Sequence, residues 1–255
     1  MRKTIILFFL SLFFNVIYSQ VEIIGHRGAS YLAPENTLAS SRLAWDLGAD
    51  AVEVDIYLSK DNKIMCIHDS NTKRTTGKDH AVKDTDSEVL RELDAGSFKD
   101  PKYKDERIPF LEEIIKAVPK GKELVVEIKC GIEVLPWLKR TIEKKGKNKQ
   151  FVFIAFDLQT ITDTKNVFPG NKCYWLCSNP ALLEKNLTKI PDAGLDGVSL
   201  SFTIINEKVA ADVRNLNLDL YTWTVDDPSE ARRLITLGVK GITTNRPGWL
   251  NDQIF

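Results

Sequence analysis

The 255-residue chain carries 35 basic and 35 acidic side chains, and 43% of its residues are hydrophobic. This composition fits one globular α/β domain and excludes a disordered chain. The even charge also argues against nucleic acid as a partner, because proteins that bind phosphate backbones generally present a basic face.

The first residues have the pattern of a secretion signal. Arg2 and Lys3 form a basic start, residues 5–16 are almost wholly apolar, and Ser19 offers a small residue for cleavage. A retained membrane anchor is the alternative, but the apolar run falls short of the roughly 20 residues that span a bilayer. We therefore predict a signal peptide over residues 1–19 and an exported protein, periplasmic or secreted, without stable membrane insertion.

From residue 22 onward, strand-like runs alternate with helix-like runs. The predicted strands cover residues 22–25, 51–58, 63–68, 123–129, 151–156, 172–177, 197–200, 218–225 and 240–244. Helical periodicity covers residues 37–47, 110–118, 132–145, 159–167, 180–189, 206–215 and 228–237. This alternation is typical of a parallel sheet. An open doubly wound sheet is the runner-up, but no Gly-x-Gly-x-x-Gly follows a strand.

One of the nine strands is in excess of an eight-stranded barrel. Residues 59–62 alone separate the second strand from the third, whereas a parallel crossover requires a dozen or more residues. We therefore predict an antiparallel hairpin in which Asp55 lies opposite Ile67. The other eight strands would form a (β/α)8 TIM barrel over residues 20–255, with its site at the carboxyl ends of the strands.

A long polar segment follows the hairpin. It covers about residues 69–109, which is too long for an ordinary connection, and it has its own helical stretch at residues 87–93. Long insertions at the top of a barrel usually border the site. We predict a small subdomain that shapes substrate access; the alternative is a solvated loop with no role in selectivity.

Ionisable side chains recur in or directly after the strand-like runs of the first half. They are His26, Arg27, Glu53, Asp55, His68, Glu127 and Lys129. An unpaired buried ion costs several kcal/mol, so core strands have no use for so many charges. We expect these side chains to converge on one another, on a metal and on an anionic substrate.

The short motifs around these residues form a familiar set. They are His26-Arg27-Gly28-Ala29-Ser30, Ala33-Pro34-Glu35-Asn36-Thr37, Glu-x-Asp at 53 and 55, His68-Asp69, Arg74-Thr75-Thr76-Gly77, Glu-x-Lys at 127 and 129, and Trp223-Thr224-Val225. In this order the chain resembles the glycerophosphodiester phosphodiesterase family, over about residues 22–248. The resemblance implies a metal-dependent hydrolase that cleaves glycerophosphodiesters, the deacylated phospholipids, to glycerol 3-phosphate and an alcohol.

The resemblance also implies a metal site. Glu53, Asp55 and Glu127 match the ligands of the family's one divalent cation. Elementary electrostatics agrees, because three clustered carboxylates would repel one another without a cation between them. Oxygen ligands favour Mg²⁺ or Ca²⁺, and the sequence leaves that choice open.

The remaining site residues would handle protons and the substrate. Imidazole titrates near neutral pH, and the resemblance implies His26 as general base and His68 as general acid, an order that spacing leaves undecided. Arg27 and Lys129 would bind the phosphate. Pocket walls are expected from two aromatic residues, Phe156 and Trp223. Glu35 and Asn36 could also line the pocket, and a structural role for Asn36, as the cap of the next helix, is the favoured alternative.

Three positions depart from the family pattern. They are Ala155 where serine is common, Asp226 where asparagine often follows Trp-Thr-Val, and Asn245 where aspartate often precedes the final proline. Headgroup preference and oligomeric state stay open. So do two rival functions: a phospholipase D-like enzyme on intact lipid, which would want an exposed apolar rim, and a catalytically inactive barrel that binds phosphorylated ligands.

The four cysteines are expected to be free thiols. Cys173 and Cys177 fall in one strand-like run, where four residues span roughly 13 Å and cannot bridge. No Cys-x-x-Cys pair indicates a zinc site.

Overall fold

A computed structural model describes residues 21–145 and 151–255 of the chain. The predicted signal peptide, residues 1–19, lies outside these ranges and stays a prediction. Within them, no helix combines the length and the apolar character needed to cross a membrane.

Strands and helices alternate along the described chain. The strands are β1 Glu22–Gly25, β2 Ala51–Leu58, β3 Ile64–Cys66, β4 Glu123–Ile128, β5 Phe151–Ala155, β6 Lys172–Cys177, β7 Gly197–Ser201, β8 Asp219–Trp223 and β9 Gly241–Thr244. The helices are α1 Leu38–Asp46, α2 Lys73–Thr76, α3 Ser87–Glu92, α4 Leu111–Ala117, α5 Leu135–Lys145, α6 Leu158–Val167, α7 Pro180–Asn186, α8 Lys189–Asp192, α9 Glu207–Asn215, α10 Pro228–Thr236 and α11 Pro247–Ile254. Short 3₁₀ turns occupy residues 82–84, 101–103, 132–134 and 202–204.

Eight of the strands form a closed parallel ring. Its order is β1, β9, β8, β7, β6, β5, β4 and β2, and β2 pairs back with β1. The remaining strand, β3, is antiparallel to β2, with Ile56 opposite Cys66. The nitrogen of Ile67 donates to the oxygen of Asp55 at 3.0 Å. The predicted TIM barrel and its extra hairpin strand are therefore confirmed.

Alternation along the strands decides which side chains enter the barrel. In β2, Val52 and Val54 pack outward in the large core beneath the helices, whereas Ala51 joins the cluster inside the ring. Glu53 and Asp55 share the parity of Ala51 and so point inward. The same parity in β4 places Glu127 with Val125 inside the barrel.

The amino-terminal end of the ring is filled by aromatic rings. Tyr174 and Tyr221 stack with their centroids 4.6 Å apart. The Tyr221 hydroxyl donates to Glu22 at 2.8 Å and the Tyr174 hydroxyl to Asp219 at 3.0 Å. Because this end is occupied by packed side chains, the usable cavity lies at the carboxyl ends of the strands.

The segment between β3 and α4 packs against the hairpin. Val82, Leu90 and Ile108 are buried with Met65 and Ile67 in a small separate core. The predicted helix in this insertion is present as α3. The segment is thus a packed unit, and its influence on selectivity stays a prediction.

Three differences from the predicted elements have local causes. The predicted helix at 180–189 ends at Asn186 as α7, and α8 is a separate single turn that contains Pro191, which cannot donate the backbone hydrogen bond of a continuing helix. The start of the helix predicted at 132–145 is a 3₁₀ turn before α5. Helix α11 was not predicted, because its eight residues, which begin with Pro247, are too few for a clear period.

The described chain contains no disulfide. All four cysteines are free, three of them buried and Cys130 partly buried. Cys173 and Cys177 lie in one strand, β6, as expected. The prediction of free thiols is confirmed.

Candidate active site

A cavity of about 160 Å³ opens at the carboxyl ends of the strands. Its lining contains eight of the nine predicted site residues: His26, Arg27, Glu53, His68, Glu127, Lys129, Phe156 and Trp223. The ninth, Asp55, is 1% exposed and contacts two of them, since its carboxylate lies 3.3 Å from Arg27 Nε and 3.6 Å from Lys129 Nζ. The structure therefore brings the whole predicted set together.

The three acids form one buried cluster. One carboxylate oxygen from each of Glu53, Asp55 and Glu127 lies within 4.8 Å of the others. Burial, followed by repulsion from the neighbouring carboxylates, raises the pKa of Glu53 well above its ordinary value. The same two causes raise the pKa of Glu127 to about 7. The protein holds these acids in a place that disfavours their ionised forms unless a cation is present.

The donor set fits a hard divalent cation. Glu53 Oε1 is buried and receives no hydrogen bond from any residue in the described ranges. An oxygen of this kind costs free energy unless something binds it. Carboxylate oxygens are the ligands that Mg²⁺ and Ca²⁺ prefer, so Glu53, Asp55 and Glu127 could hold such an ion.

Arg27 reaches the acids through an unusual backbone conformation. Its φ is 54°, in the left-handed region, and its backbone nitrogen donates to Glu53 Oε2 at 2.9 Å. Its guanidinium donates from Nη1 to Glu35 at 2.9 Å. On the other side of the cluster, Lys129 Nζ lies 2.9 Å from Glu127 Oε1. Both predicted phosphate-binding cations therefore border the carboxylate cluster.

His26 is held in one tautomer by a chain of side chains. Asn245 Nδ2 donates to Asp226 Oδ2 at 2.7 Å, which fixes the orientation of the amide. Asn245 Oδ1 must then accept from His26 Nδ1, 2.8 Å away. Burial, and next the charge of Arg27, lower the pKa of His26 to about 4. The ring is therefore neutral at neutral pH, with the lone pair on Nε2.

His68 is held by a carboxylate instead. Its Nδ1 lies 2.6 Å from Asp69 Oδ1. Arg74 donates to Asp69 at 2.7 Å and to Glu35 at 2.7 Å, and its hydrogen bond is the main reason why the pKa of Asp69 falls to about 2. An ionised carboxylate therefore orients the His68 ring, whereas an amide orients the ring of His26.

Sequence reasoning missed several side chains that support the site. Asn36 does not cap α1, because the cap is Thr37. Instead Asn36 Nδ2 donates to Asp55 Oδ2 at 2.8 Å, and Asn36 Oδ1 accepts from the Asp55 nitrogen at 3.0 Å. The contacts of Glu35 with Arg27 and Arg74 were also not predicted, although Glu35 and Arg74 lie inside motifs that carry the family resemblance.

Aromatic side chains form one wall of the cavity. The rings of Phe156 and Trp223 meet edge to face with centroids 5.4 Å apart. Trp223 Nε1 donates to the Ser199 oxygen at 3.1 Å, which fixes the indole. Lys129 Nζ lies 5.8 Å from the Phe156 ring centroid. This wall is next to the cation that is predicted to bind phosphate.

Comparison with known proteins places these features in one family. The sequence model of the glycerophosphoryl diester phosphodiesterase family matches residues 26–249. The chain is 34% identical over 237 residues to a glycerophosphodiester phosphodiesterase of Caldanaerobacter subterraneus, covering 91% of this chain and 97% of that protein. It is 33% identical over 241 residues to YhdW of Bacillus subtilis, covering 89% and 96%.

One solved structure with the same fold contains a bound reaction product. A phosphodiesterase of Oleispira antarctica, in complex with the product sn-glycerol-3-phosphate, superposes with a TM-score of 0.86 at 27% identity, over 91% of this chain and 96% of that one. The family model and the relatives each span most of the barrel and its site. The chain therefore belongs to the glycerophosphoryl diester phosphodiesterase family and is a phosphoric diester hydrolase.

Proposed function

We propose that this protein is an exported, divalent-cation-dependent enzyme that hydrolyses glycerophosphodiesters to glycerol 3-phosphate and an alcohol such as choline or ethanolamine. One observation carries the proposal. Three buried carboxylates within 4.8 Å of one another lie at a cavity of about 160 Å³, which two of them line together with two histidines and two cations. That set matches what phosphodiester cleavage requires: neutralisation of phosphate charge and transfer of protons to and from oxygen.

Glu53, Asp55 and Glu127 would hold Mg²⁺ or Ca²⁺. When bound, the ion would offset the carboxylates and polarise a phosphate oxygen. Arg27 offers a planar fork for two phosphate oxygens and Lys129 a point charge. Both cations border the acid cluster, so a phosphate held there would lie between the metal site and the aromatic wall.

The histidines would divide the proton transfers. Neutral His26, with its free Nε2, would accept the proton of the attacking hydroxyl. His68, backed by Asp69 at 2.6 Å, would donate to the oxygen of the departing alcohol. In the course that the family resemblance implies, the glycerol hydroxyl beside the phosphate attacks first and water then opens the cyclic product.

The test is a substrate panel combined with removal of metal. The purified enzyme is assayed on glycerophosphocholine, glycerophosphoethanolamine and a lysophospholipid, before and after chelation and with Mg²⁺ or Ca²⁺ added back. Glu127→Gln should abolish the metal-restored activity. Glu123→Gln, at the other end of β4, is the matched control and should retain it. Full turnover by exhaustively dialysed enzyme in excess chelator would contradict the proposal.

The same panel separates the rival functions. Phosphate-ligand binding without any hydrolysis would favour the inactive barrel. Faster turnover of the lysophospholipid than of glycerophosphocholine would favour the lipid enzyme.

The proposal that the protein is exported rests on the predicted signal peptide, residues 1–19. Expression of the full chain in a bacterial host, followed by fractionation and amino-terminal sequencing, should give a periplasmic or secreted product that begins near Gln20. Cytoplasmic retention of the unprocessed chain would contradict export without affecting the activity assays.

A further inference from the structure

A mostly exposed cluster of hydrophobic and cationic side chains lies on the segments that follow β1 and β9 and on the insertion. We call it the rim patch, and it consists of Tyr31, Leu32, Phe98, Lys99, Arg246 and Trp249. Its hydrophobic members are exposed by 54% for Tyr31, 50% for Leu32, 44% for Phe98 and 40% for Trp249. A single exposed apolar side chain is ordinary on a protein surface. Four that share one rim with two cations are a pattern to be explained.

Direct contacts join four members of the patch from three separate segments, and Leu32 and Phe98 are the chain neighbours of Tyr31 and Lys99. The guanidinium carbon of Arg246 lies 4.1 Å from the ring centroid of Tyr31 and 4.2 Å from that of Trp249. Lys99 Nζ lies 5.8 Å from the same tyrosine ring and donates to the Ser30 oxygen at 2.8 Å. The loop after β1, the insertion and the start of α11 therefore build one surface.

The patch adjoins the groups that hold the proposed base. The backbone nitrogen of Tyr31 donates to the Asn245 oxygen at 3.1 Å. The Ser30 hydroxyl donates at 2.9 Å to Asn245 Oδ1, the same atom that accepts from His26. Whatever the rim patch binds will therefore face the open end of the barrel.

The two cations of the patch, exposed Lys99 and half-buried Arg246, have no acidic partner in the part of the chain that the structure describes. Within the described ranges neither Lys99 nor Arg246 forms an ion pair, whereas nearby Lys102 does, with Asp100 at 3.8 Å. A guanidinium offers a fork of N–H donors that suits phosphate oxygens. Arg246 holds that fork between two exposed aromatic rings. This combination is complementary to a surface that is both anionic and partly apolar.

We propose that the rim patch docks this enzyme on an anionic phospholipid surface. Tyr and Trp side chains favour the headgroup region of a bilayer, where one end of the ring is apolar and the other is wet. Leu32 and Phe98 would reach just below that level, and Lys99 and Arg246 would meet lipid phosphates. The docking is peripheral, and it is independent of the proposed hydrolysis.

Vesicle binding tests the proposal. All ring strands lie within residues 21–255, so this segment is used, free of the apolar amino-terminal run. It is sedimented with phosphatidylcholine vesicles that contain or lack phosphatidylglycerol. We expect binding that requires phosphatidylglycerol and falls roughly thirtyfold in the double variant Lys99→Gln/Arg246→Gln, because each basic residue near an anionic surface contributes about a fivefold factor. Trp249→Ser should weaken binding as well.

Matched controls lie at the other end of the barrel. Phe255→Ser removes an apolar side chain that is 64% exposed at the far end of the helix that begins near Trp249. Lys116→Gln/Lys120→Gln removes two exposed charges near the end of α4. Both should bind vesicles as the parent does, and all variants should hydrolyse soluble glycerophosphocholine at the parent rate.

Several results would overturn the proposal. These are absence of vesicle binding by the parent chain, equal binding by the rim and control variants, and a change of oligomeric state in rim variants without a change in vesicle binding. The last result would assign the patch to contacts between protein chains. Since binding is measured without turnover, failure here leaves the proposed hydrolysis untouched.

Discussion

His26 is oriented by an amide where the family pattern favours a carboxylate. Asn245 and Asp226 exchange the residue types common at these two positions, and they keep a hydrogen bond of 2.7 Å to each other. As a result, the Asn245 side chain stands between the imidazole of His26 and the negative charge of Asp226. The neutral amide fixes the tautomer and favours the protonated ring less than a carboxylate would, so burial and the charge of Arg27 outweigh it and lower the pKa of His26.

Replacing Asn245→Asp should shift the acidic side of the pH–rate profile. The base works in its neutral form, and the pKa of His26 is lowered to about 4 in the parent. A carboxylate on Nδ1 favours the protonated ring and raises that pKa, so activity should be lost at a higher pH, by about one pH unit or more. The measurement is kcat/KM against pH with saturating cation, since this ratio reports the free enzyme.

The double variant Asp226→Asn/Asn245→Asp is the control for packing. It restores one amide and one carboxylate and should keep near-parent activity near neutral pH with the shifted acidic limb. Identical profiles in all three proteins would show that His26 does not titrate in the rate-limiting chemistry.

Cation affinity should rise with pH through the neutral range. Glu127, with its pKa raised to about 7, is protonated below that pH and must lose the proton to act as a ligand. Displacement of this proton makes the apparent affinity rise by about tenfold per pH unit below pH 7, and a proton displaced from Glu53, whose pKa is also raised, makes the rise steeper. Calorimetric titration with Mg²⁺ or Ca²⁺ in buffers of different ionisation enthalpy would measure both the affinity and the protons released. A pH-independent affinity would contradict the ligand role of Glu127.

At the scale of single residues, the sequence predicted the reacting groups better than the residues that support them. The convergence of the nine site residues was predictable because charged side chains at the ends of buried strands need partners close by. Arg74 and Asn36 were not predicted as partners of site residues, since their contacts depend on loop conformations. The φ of 57° at Asn36 is an example, because no local pattern predicts it.

At the scale of elements, the insertion contributes a clamp to the site. Arg74 in α2 joins Glu35 of the loop after β1 to Asp69, and Asp69 holds His68. The insertion thus has two functions that its polarity alone did not indicate. It covers the apolar outer face of β3, and it positions the proposed acid.

Arg74→Ala should lower kcat by about tenfold while leaving the fold intact. The side chain is 45% exposed, so little packing is lost, but Asp69 and Glu35 lose their shared partner. If His68 is misplaced, part of the rate enhancement of roughly 10²–10⁴-fold that general acid catalysis supplies is lost. Steady-state kinetics on glycerophosphocholine would measure the loss.

Lys73→Ala is the neighbouring control. That side chain is 69% exposed and pairs only with Asp79, at 3.6 Å, among the described residues. Equal kinetics for the two variants would show that the clamp has no catalytic effect.

Most elements were predictable because each barrel strand is a short apolar run with a clear boundary. The hairpin followed from chain length, since four residues cannot cross between parallel strands. Elements that depend on tertiary packing were not predicted from the sequence. The short α11 is stabilised by packing rather than by its own periodicity, with Leu250 fully buried.

At the scale of the whole molecule, close packing between β7 and β8 limits what the ring tolerates. A Cβ on Gly197 would lie 2.1 Å from the backbone oxygen of Asp219, and backbone cannot move aside as a flexible side chain can. Gly197→Ala should therefore destabilise the fold by about 1–3 kcal/mol or more. For a domain of this size that lowers Tm by roughly 2 °C or more per kcal/mol.

Gly170→Ala is the matched control. A Cβ there meets no described atom within 4 Å. Thermal unfolding followed by circular dichroism should show a lower Tm for the Gly197 variant only. An unchanged Tm there would mean that the two strands can separate at little cost.

Ring closure has a consequence for the timing of folding. The first strand pairs with the last, and His26 finds its Asn245 partner 219 residues further along the chain. The acid cluster, by contrast, is complete once residue 127 has been synthesised. Contacts of such long range form late and slowly, because the intervening loop must be closed first. An unfinished chain would therefore carry the carboxylates without an oriented base, and we expect catalytic competence to appear only when the final strand joins the ring.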